Sequence, residues 1–349
     1  MSLAASIGLR RGALAVDATV AADAGETVAI VGPNGAGKTS LARAIAGLDA
    51  IETGRITLDG AALDDPTAGV FVPPAKRSVG MMFQERLLFP HMNVAANVAF
   101  GLRAAGRRDA SAVARDWLDR VGMAERAGDK PERLSGGQAA LVALARALAS
   151  SPRLLLLDEP FAALDAETKA ATRRIVGEHL RALDGPALLI THDPLDAFSL
   201  AGRIAVLEQG RIAQQGTPAE IRERPVSRFV AELVGVNWFR GVAEPGGFRA
   251  GAIRIAAAHD LAPAADAIAV ISPRAVALHA GVPEGSPRNT FAGRIADIVH
   301  TGEIVRVRID GTVPLIAEIT PSGASAISLQ PGATVYAAVK ATEVSVFGV

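Results

Sequence analysis

The sequence predicts an α/β domain followed by a small all-β, barrel-like domain, the two meeting near residue 236. Three observations predict it. A glycine-rich octapeptide at 32–39 separates a short apolar stretch from a helix-forming run. Apolar runs at 154–157 and 187–190 end in polar or charged residues, at the edge where an open parallel sheet gathers its ligands. From about residue 235 the helical patterns stop, and short alternating strands such as 305–309 and 335–339 take over between Pro/Gly turns.

The octapeptide is Gly32, Pro33, Asn34, Gly35, Ala36, Gly37, Lys38 and Thr39, which fits G-x-x-x-x-G-K-[ST] at every required position. Its glycines let the backbone curl so that successive N–H groups point inward, a nest for anionic oxygens. Lys38 would reach the β- and γ-phosphates of a nucleotide, and the Thr39 hydroxyl would hold Mg²⁺. The stretch 26–31 reads as a buried strand entering the loop. Ser40 opens a helical run to Gly47 whose positive N-terminus faces the phosphates.

Composition bounds the rest. At about 150 residues per domain, 349 residues suggest two or three domains. Lys+Arg and Asp+Glu both number 36, so no global field draws the chain to nucleic acid or to an anionic membrane. The absence of Cys excludes disulfides, thiolate metal sites and cysteine catalysis, and is compatible with a reducing compartment. Nothing at the N-terminus has signal-peptide character, and no apolar run approaches the roughly 18 residues of a membrane span. The expectation is a soluble chain that can dock on a membrane protein.

Taken in order, residues 1–31 alternate apolar stretches and turns as hairpins do. No Phe, Tyr, Trp or His precedes Phe71, so no aromatic ring near the amino end can stack on a base; Arg10 or Arg11 could offer a guanidinium plane instead. Residues 54–60 form a strand bounded by glycines. The apolar run 78–83 ends at Gln84, which is either a solvated amide or part of a site. Residues 85–101 mix apolar residues with Pro90 and His91 as a docking surface would, and 102–128 are helical in composition. Ser135 and Gln138 have capping-box spacing ahead of a helix with Leu141, Leu144, Ala145 and Leu148 on one face. The run 154–157 reads as a buried parallel strand delivering Asp158 and Glu159 at its C-terminal end. With the phosphate loop they make a nucleotide–Mg²⁺ site, Asp158 on the metal side and Glu159 free for base work. The strand 187–191 ends in His192, one of six histidines and the one placed at such an edge. Residues 203–214 read as a hairpin turning at Gln209 and Gly210, and Thr217-Pro218 starts a short helix.

Together these stretches resemble the ATP-binding subunit of an ABC transporter over residues 1 to about 236. The motifs stand in the family's order: the phosphate loop, Gln84 as the Q-loop, LSGGQ at 134–138, the Asp158-Glu159 strand, Ala163-Leu164-Asp165 as the D-loop, and His192 as the switch histidine. The resemblance implies an ATPase using ATP and Mg²⁺, working as a head-to-tail homodimer with ATP sandwiched between subunits. Each ATP would lie between one chain's loop and the other's Ser135, Gly136, Gly137 and Gln138, with Asp165 counted among the ATP-binding residues. Glu159 would polarise the attacking water, His192 would hold the γ-phosphate and that base in register, and Gln84 would join Asp158 and Thr39 at the metal. Gln84 would also link the site to the surface that grips the permease. The capping role of Ser135 and Gln138 is compatible with all of this. Two departures stand out. The family commonly carries an aromatic residue upstream of the loop, where this chain has Leu9-Arg10-Arg11, and it often follows LSGGQ with a polar, basic start, where this chain has Ala139-Ala140-Leu141.

In the tail, Ser286-Pro287-Arg288-Asn289, the strand start Gly293-Arg294-Ile295 and Val339-Lys340-Ala341-Thr342 resemble the molybdate-binding Mop module, a TOBE-type OB-like barrel, over about 286–347 of a 237–349 domain. Pro287 stands where a small residue is common. In such modules a tetrahedral oxyanion sits between subunits, and by position Ser286, Arg288, Asn289, Lys340 and Thr342 are the candidates here. The stretch Val72-Pro73-Pro74-Ala75-Lys76-Arg77 also resembles the oxyanion-importer subgroup. The implied function is ATP-driven import of an oxyanion, molybdate foremost, with sulfate or thiosulfate, polyamine, sugar and ferric iron as rival cargoes. The implied partners are permease subunits and, indirectly, a substrate-binding protein, at the cytoplasmic face of a membrane and without nucleic acid. A soluble ABC ATPase acting on DNA or ribosomes is the competing class; a single phosphate loop, no heptad run and a neutral charge argue against it. Intact Lys38, Asp158, Glu159 and His192 argue against a molybdate store or sensor with a vestigial ATPase.

Overall fold

Leu3–Arg11 (β1) and Leu14–Ala22 (β2) bury every second residue, so they pair antiparallel as a hairpin with one wet and one dry face. The computed structural model describes residues 1–349 apart from 85–87, 163 and 328. The chain divides into two compact units, Met1–Ile221 and Arg222–Val349.

In the first unit, Thr27–Val31 (β3) is buried at all five positions and runs through residues 32–37 into α1 (Lys38–Ala46). Thr53–Leu58 (β4), Ala61–Asp65 (β5) and Val70–Phe71 (β6) extend the hairpin into an antiparallel sheet of order β2-β1-β4-β5-β6. Val79–Met82 (β7) leaves that layer for a second sheet. Helices α2 (Val94–Ala104), α3 (Ala110–Arg120) and α4 (Gly136–Ala149) then pack through Val94, Val98, Leu102, Leu118 and Val142. Leu154–Asp158 (β8), α5 (Ala166–Arg181), Ala187–Ile190 (β9), α6 (Pro194–Leu200), Arg203–Glu208 (β10), Arg211–Gly216 (β11) and α7 (Pro218–Glu223) complete the order.

The second sheet runs β11-β10-β3-β9-β8-β7, parallel except for the β10–β11 hairpin. Its central strands carry apolar runs because both faces are covered; Leu154 to Leu157 are wholly buried, each contributing about 1.5–3 kcal/mol. Register decides what meets at the C-terminal edge. Ile190 pairs with Ile30 on one side and Asp158 on the other, so the phosphate loop, the two carboxylates and His192 emerge side by side.

A buried arginine ties the layers together. The Arg77 guanidinium donates to Ala44 O (2.8 Å) and Ile45 O (3.0 Å) at the end of α1, to Val72 O (2.6 Å) and to Leu63 O (3.2 Å). Gly47 makes room for it: a Cβ there would lie 2.4 Å from Arg77 Nε. The carbonyls at the helix end, of which Ala44 O also accepts from Gly47 N at 3.0 Å, thus gain a cation.

The second unit starts earlier than the sequence predicts. Residues 222–236 look like a continuation of the helical pattern, but α8 (Arg228–Val234) belongs with the β domain, where Trp238 Nε1 donates to Pro225 O at 3.0 Å. The compact units thus divide at 221/222, within α7, where the sequence places the change at 236/237. Asn237–Glu244 (β12), Gly247–Ala250 (β13), Ile253–Ala256 (β14), Asp266–Ile271 (β15), Ala277–His279 (β16), Asn289–Thr301 (β17), Ile304–Gly311 (β18), Leu315–Ile319 (β19), α9 (Pro321–Ala326), Thr334–Val339 (β20) and Val344–Gly348 (β21) follow. They form two antiparallel sheets, β14-β13-β12-β15-β21 and β16-β20-β17-β18-β19, enclosing one core that includes Phe248, Ile271, Val307 and Val339.

Two buried asparagines staple these sheets to each other. Asn237 donates to Ile271 O (3.2 Å) and Ile316 O (2.9 Å) and accepts from Ile316 N (2.6 Å). Asn289 accepts from Ala256 N (2.7 Å) and donates to Ala256 O (3.0 Å). Amides with both ends satisfied can sit in a core without penalty, and they set how one sheet lies on the other.

Candidate active site

The loop can close only because glycines stand at its tightest points. A Cβ on Gly32 would lie 2.1 Å from Leu207 O, and Gly37, at φ 105°, would meet Val16 Cγ2 at 2.7 Å. Lys38 folds back over this loop, its Nζ donating to Gly32 O (2.8 Å) and Pro33 O (3.0 Å). Burial pushes its ammonium below the ordinary lysine range, while Glu159 and then Asp158 oppose that. The cation is thus partly desolvated and stands in an anion-shaped loop.

Opposite it, Asp158 is buried, and Oδ1 has no hydrogen-bond partner among the described residues. Burial and the neighbouring Glu159 raise its carboxyl above the usual range; the Thr39 hydroxyl and Lys38 pull it back. An orphaned, desolvated carboxylate oxygen calls for a cation. Thr39, Gln84 and Asp158 line one cleft and present only oxygen ligands, which suits a hard divalent ion such as Mg²⁺. No group of three or more His, Cys, Asp or Glu side chains forms a self-contained metal cage among the described residues, and Mg²⁺ commonly completes its shell with phosphate oxygens and water.

Glu159 follows immediately with a left-handed backbone, φ 48°. For a residue with a side chain this costs about 1–2 kcal/mol. Its N–H donates to Ile190 O at 2.9 Å, and its side chain turns toward β9, where Oε1 lies 2.8 Å from His192 Nδ1. Glu159 is mostly enclosed; His192 is exposed. A sheltered carboxylate beside a solvent-facing imidazole can order a water and receive its proton.

A cleft of ≈ 340 Å³ gathers Lys38, Thr39, Gln84, Asp158, Glu159 and His192. Asn34, Gly35, Gly37 and Ser40 line it too. Its apolar wall includes Leu14, which the sequence reading did not single out. That reading looked to Leu9-Arg10-Arg11, on the near side of the hairpin turn at Gly12, whereas the chain reaches the loop three residues later. Arg10 and Arg11 are not among the lining residues, and Arg11 pairs with Asp49 at 3.6 Å. Counting past the turn would have located Leu14.

Ser135, Gly136, Gly137, Gln138 and Asp165 do not line this cleft. Ser135 and Gln138 form a reciprocal capping box, with Ser135 N to Gln138 Oε1 at 3.0 Å and Gln138 N to Ser135 Oγ at 3.3 Å. Gly136 and Gly137 occupy the first helical positions, whose N–H groups have no acceptor within the helix. Asp165 caps α5 by accepting from Thr168 N at 2.9 Å; Ala163, the first residue of the same motif, lies outside the described residues. Of the docking stretch, Phe89 packs on Phe100 with centroids 4.5 Å apart and under the guanidinium of Arg146, while residues 85–87 lie outside the description.

The predicted oxyanion residues separate. Asn289 pairs with Val339 across β17 and β20, so Arg288 and Lys340 come from adjoining strand ends, both exposed and without an ion-pair partner among the described residues. Ser286 is exposed just before them. Asn289 differs from the expectation: its amide is committed to Ala256, which leaves it a structural role. Thr342 lines a separate cleft of ≈ 600 Å³ with Arg222, Ser272, Arg274 and Glu343.

Comparison with known proteins adds the following. Residues 16–162 match the ABC transporter family model and residues 285–346 the TOBE domain model. The molybdenum import ATP-binding protein ModC of Mycobacterium tuberculosis is 40% identical over 95% of this chain and 93% of its own length. The sulfate/thiosulfate import ATP-binding protein CysA 2 of Chromobacterium violaceum is 43% identical over 88% of this chain and 84% of its own. The Fe(3+) ions import ATP-binding protein FbpC of Streptomyces avermitilis is 45% identical over 64% of this chain and 63% of its own. Among solved structures, a dimeric post-hydrolysis state of the ATP-binding cassette MJ0796 bound to ADP and Pi superposes with a TM-score of 0.53, at 26% identity, over 62% of this chain and 99% of that one.

Proposed function

Because this chain belongs to the ABC transporter family, as the ATP-hydrolysing subunit of an importer, we propose that it energises uptake of molybdate as a homodimer on the cytoplasmic face of a membrane permease. The observation that carries the ATPase part is the single cleft in which Lys38, Thr39, Gln84, Asp158, Glu159 and His192 converge. Lys38 exchanges the Gly32 and Pro33 carbonyls for β- and γ-phosphate oxygens, trading neutral acceptors for charged ones. Thr39, Asp158 and Gln84 would hold Mg²⁺, which when bound would neutralise charge on the phosphates. Glu159 orients the attacking water and receives its proton; His192, through its contact with Glu159, keeps that carboxylate aimed. The Ser135 helix start of a second copy supplies the remaining phosphate donors, consistent with its place outside the cleft and with the dimeric relative.

Two observations favour molybdate. The ModC relative is matched across both domains at 40% identity, above the 35% of an FbpC relative from Rhizobium meliloti that also spans both. Arg288 and Lys340 adjoin at one end of the β17–β20 ladder as paired cations for a divalent oxyanion. Sulfate or thiosulfate is the second reading, supported by the long match to CysA 2. Reconstitution with the cognate permease and substrate-binding protein tests both. ATP hydrolysis stimulated by molybdate-loaded binding protein is expected; stimulation by sulfate alone transfers the assignment to sulfate, and stimulation by neither removes oxyanion import.

A further inference from the structure

Helix α5 touches both halves of the chemistry. Its N-terminus is capped by Asp165, and its first turns lie hard against the start of α4: a Cβ on Gly137 would stand 2.2 Å from Thr168 Cγ2 and 3.4 Å from Thr172 Oγ1. On the adjacent stripe, Lys169 bonds the Asp193 carboxylate, and Arg173 donates to Asp196 Oδ1 from Nε at 2.7 Å. Asp196 Oδ2 accepts from Thr191 Oγ1 at 3.2 Å, and Thr191 Oγ1 in turn accepts from Asp193 N at 3.0 Å. The residues on either side of His192 are therefore both held by the cluster that α5 anchors. The same Arg173 guanidinium lies 5.8 Å from the ring of buried Phe161, two residues beyond Glu159.

We propose that Arg173 and Lys169 are positioning residues that fix His192 through Asp193 and Asp196, and that α5 thereby makes the state of one nucleotide site felt at the Gly137 helix start that completes the partner copy's site. The inference rests on the homodimer reading above. Asp196 has 2% of its side chain exposed and Arg173 13%, so this ion pair is sheltered from screening and stiff, unlike a surface pair. Residues 168 and 172 face α4 and residues 169 and 173 face the His192 loop, each pair one helical turn apart. A shift of His192 toward a bound γ-phosphate is carried by one rigid rod rather than by a chain of loops. Burial drives the Asp196 carboxyl above the usual range while the Arg173 bond opposes it, so an uncharged isostere should be accommodated by the fold.

The experiment compares full-length wild type, Asp196→Asn and Arg173→Lys by steady-state ATP hydrolysis, with Glu159→Gln run beside them to report ATP-dependent dimer formation on size exclusion. Asp196→Asn keeps shape but removes the charge and turns one of the two acceptor oxygens facing Arg173 and Thr191 into a donor; Arg173→Lys keeps charge but not the fork. The expected result is a kcat lower by about tenfold or more, with KM little changed, as misplacement of a catalytic group gives. The Hill coefficient for ATP should also fall toward one. Melting temperatures measured alongside separate this from simple loss of folding. Variants that melt earlier yet keep wild-type kcat and Hill coefficient overturn the proposal and leave the cluster a structural brace. Failure of Glu159→Gln to dimerise with ATP overturns the dimer reading and the coupling with it, whereas a dimer with unaltered cooperativity in both variants overturns the coupling alone.

Discussion

Nδ1 of His192 lies 2.8 Å from Oε1 of Glu159, so the residue before the N-cap of one helix and the first residue past a neighbouring strand share one contact at the mouth of the cleft. The contact joins β8 to β9 beyond the end of their ladder. Among the described residues it is the side-chain contact that restrains this carboxylate beyond its own strained backbone. The first prediction starts from this pair.

Glu159→Gln preserves size but removes the proton acceptor. General-base contributions are typically 10²–10⁴-fold, so turnover should fall by about that range with nucleotide binding retained. Steady-state hydrolysis and equilibrium binding on the same preparation check it. Near-normal turnover would remove Glu159 from the role of base.

Asp158 yields a pH prediction. Burial, followed by Glu159, raises its folded-state pKa. The folded chain therefore holds this proton more tightly than the unfolded chain. Without metal, folding stability is lost as pH rises from the unfolded aspartate value of about 3.9 through the raised one, and the deficit persists above it. Asp158→Asn should thus melt at or above the wild-type temperature near neutral pH, since Glu159 remains the first counter-charge of Lys38. Mg²⁺–ADP at a hundredfold its Kd should stabilise wild type by about 2.7 kcal/mol. The variant should lose the Mg²⁺-dependent part of that gain. Calorimetric scans at acid and neutral pH, with and without Mg²⁺–ADP, are the measurement, and an undiminished Mg²⁺ effect in Asp158→Asn would place the ion elsewhere.

Leu14 is an apolar side chain in the wall of the cleft, and it offers no ring for a base to stack on. Base–aromatic stacking is worth about 1–3 kcal/mol where it occurs in nucleic-acid systems, so its absence should leave ATP and GTP with similar affinities. Titrating both into the full-length chain tests this. Leu14→Tyr should tighten both. A strong preference for ATP in the wild type would mean that a polar group elsewhere reads adenine.

The β domain separates a structural amide from a binding cation. Asn289→Ala leaves Ala256 N–H and C=O unpaired between the sheets, at a cost of about 1–3 kcal/mol, visible as a lower Tm. Lys340→Ala and Arg288→Ala should leave Tm near wild type and weaken molybdate binding by more than about 1 kcal/mol each, as loss of a charge-assisted bond does. Calorimetric titration of the full chain with molybdate reads the second effect. Molybdate heats unchanged in both cation variants would exclude these strand ends as the anion site.

Some of this was legible in the residues and some was not, for physical reasons. The loop could be read because closing it needs glycine where Leu207 and Val16 crowd in, and the chemistry needs Lys38 and Thr39 next to it. Asp158, Glu159 and His192 could be read because an apolar strand ending in a charge is rare unless the sheet edge uses it. Asn289 was misread because a polar residue before a strand looks available for a ligand, and its partner, Ala256, is 33 residues away with nothing in its identity to announce the bond. The 221/222 division escaped for the same reason: the helical pattern of α8 is local, whereas its membership is decided by Pro225 and Trp238 meeting. The anchors Lys169 and Arg173 belong to no motif, and only the fold puts Asp193 and Asp196 beneath them.

The left-handed backbone at Glu159 also constrains how this position can change over generations. At φ 48°, Gly, Asn and Asp fit with the least steric cost, while Val, Ile and Thr are strongly disfavoured whatever their chemistry. A lineage that relinquished hydrolysis would drift here toward small or amide side chains, which relieve the strain and stabilise the fold as activity disappears. Descendants that retain the glutamate therefore carry a standing thermodynamic disadvantage that only selection for turnover can maintain.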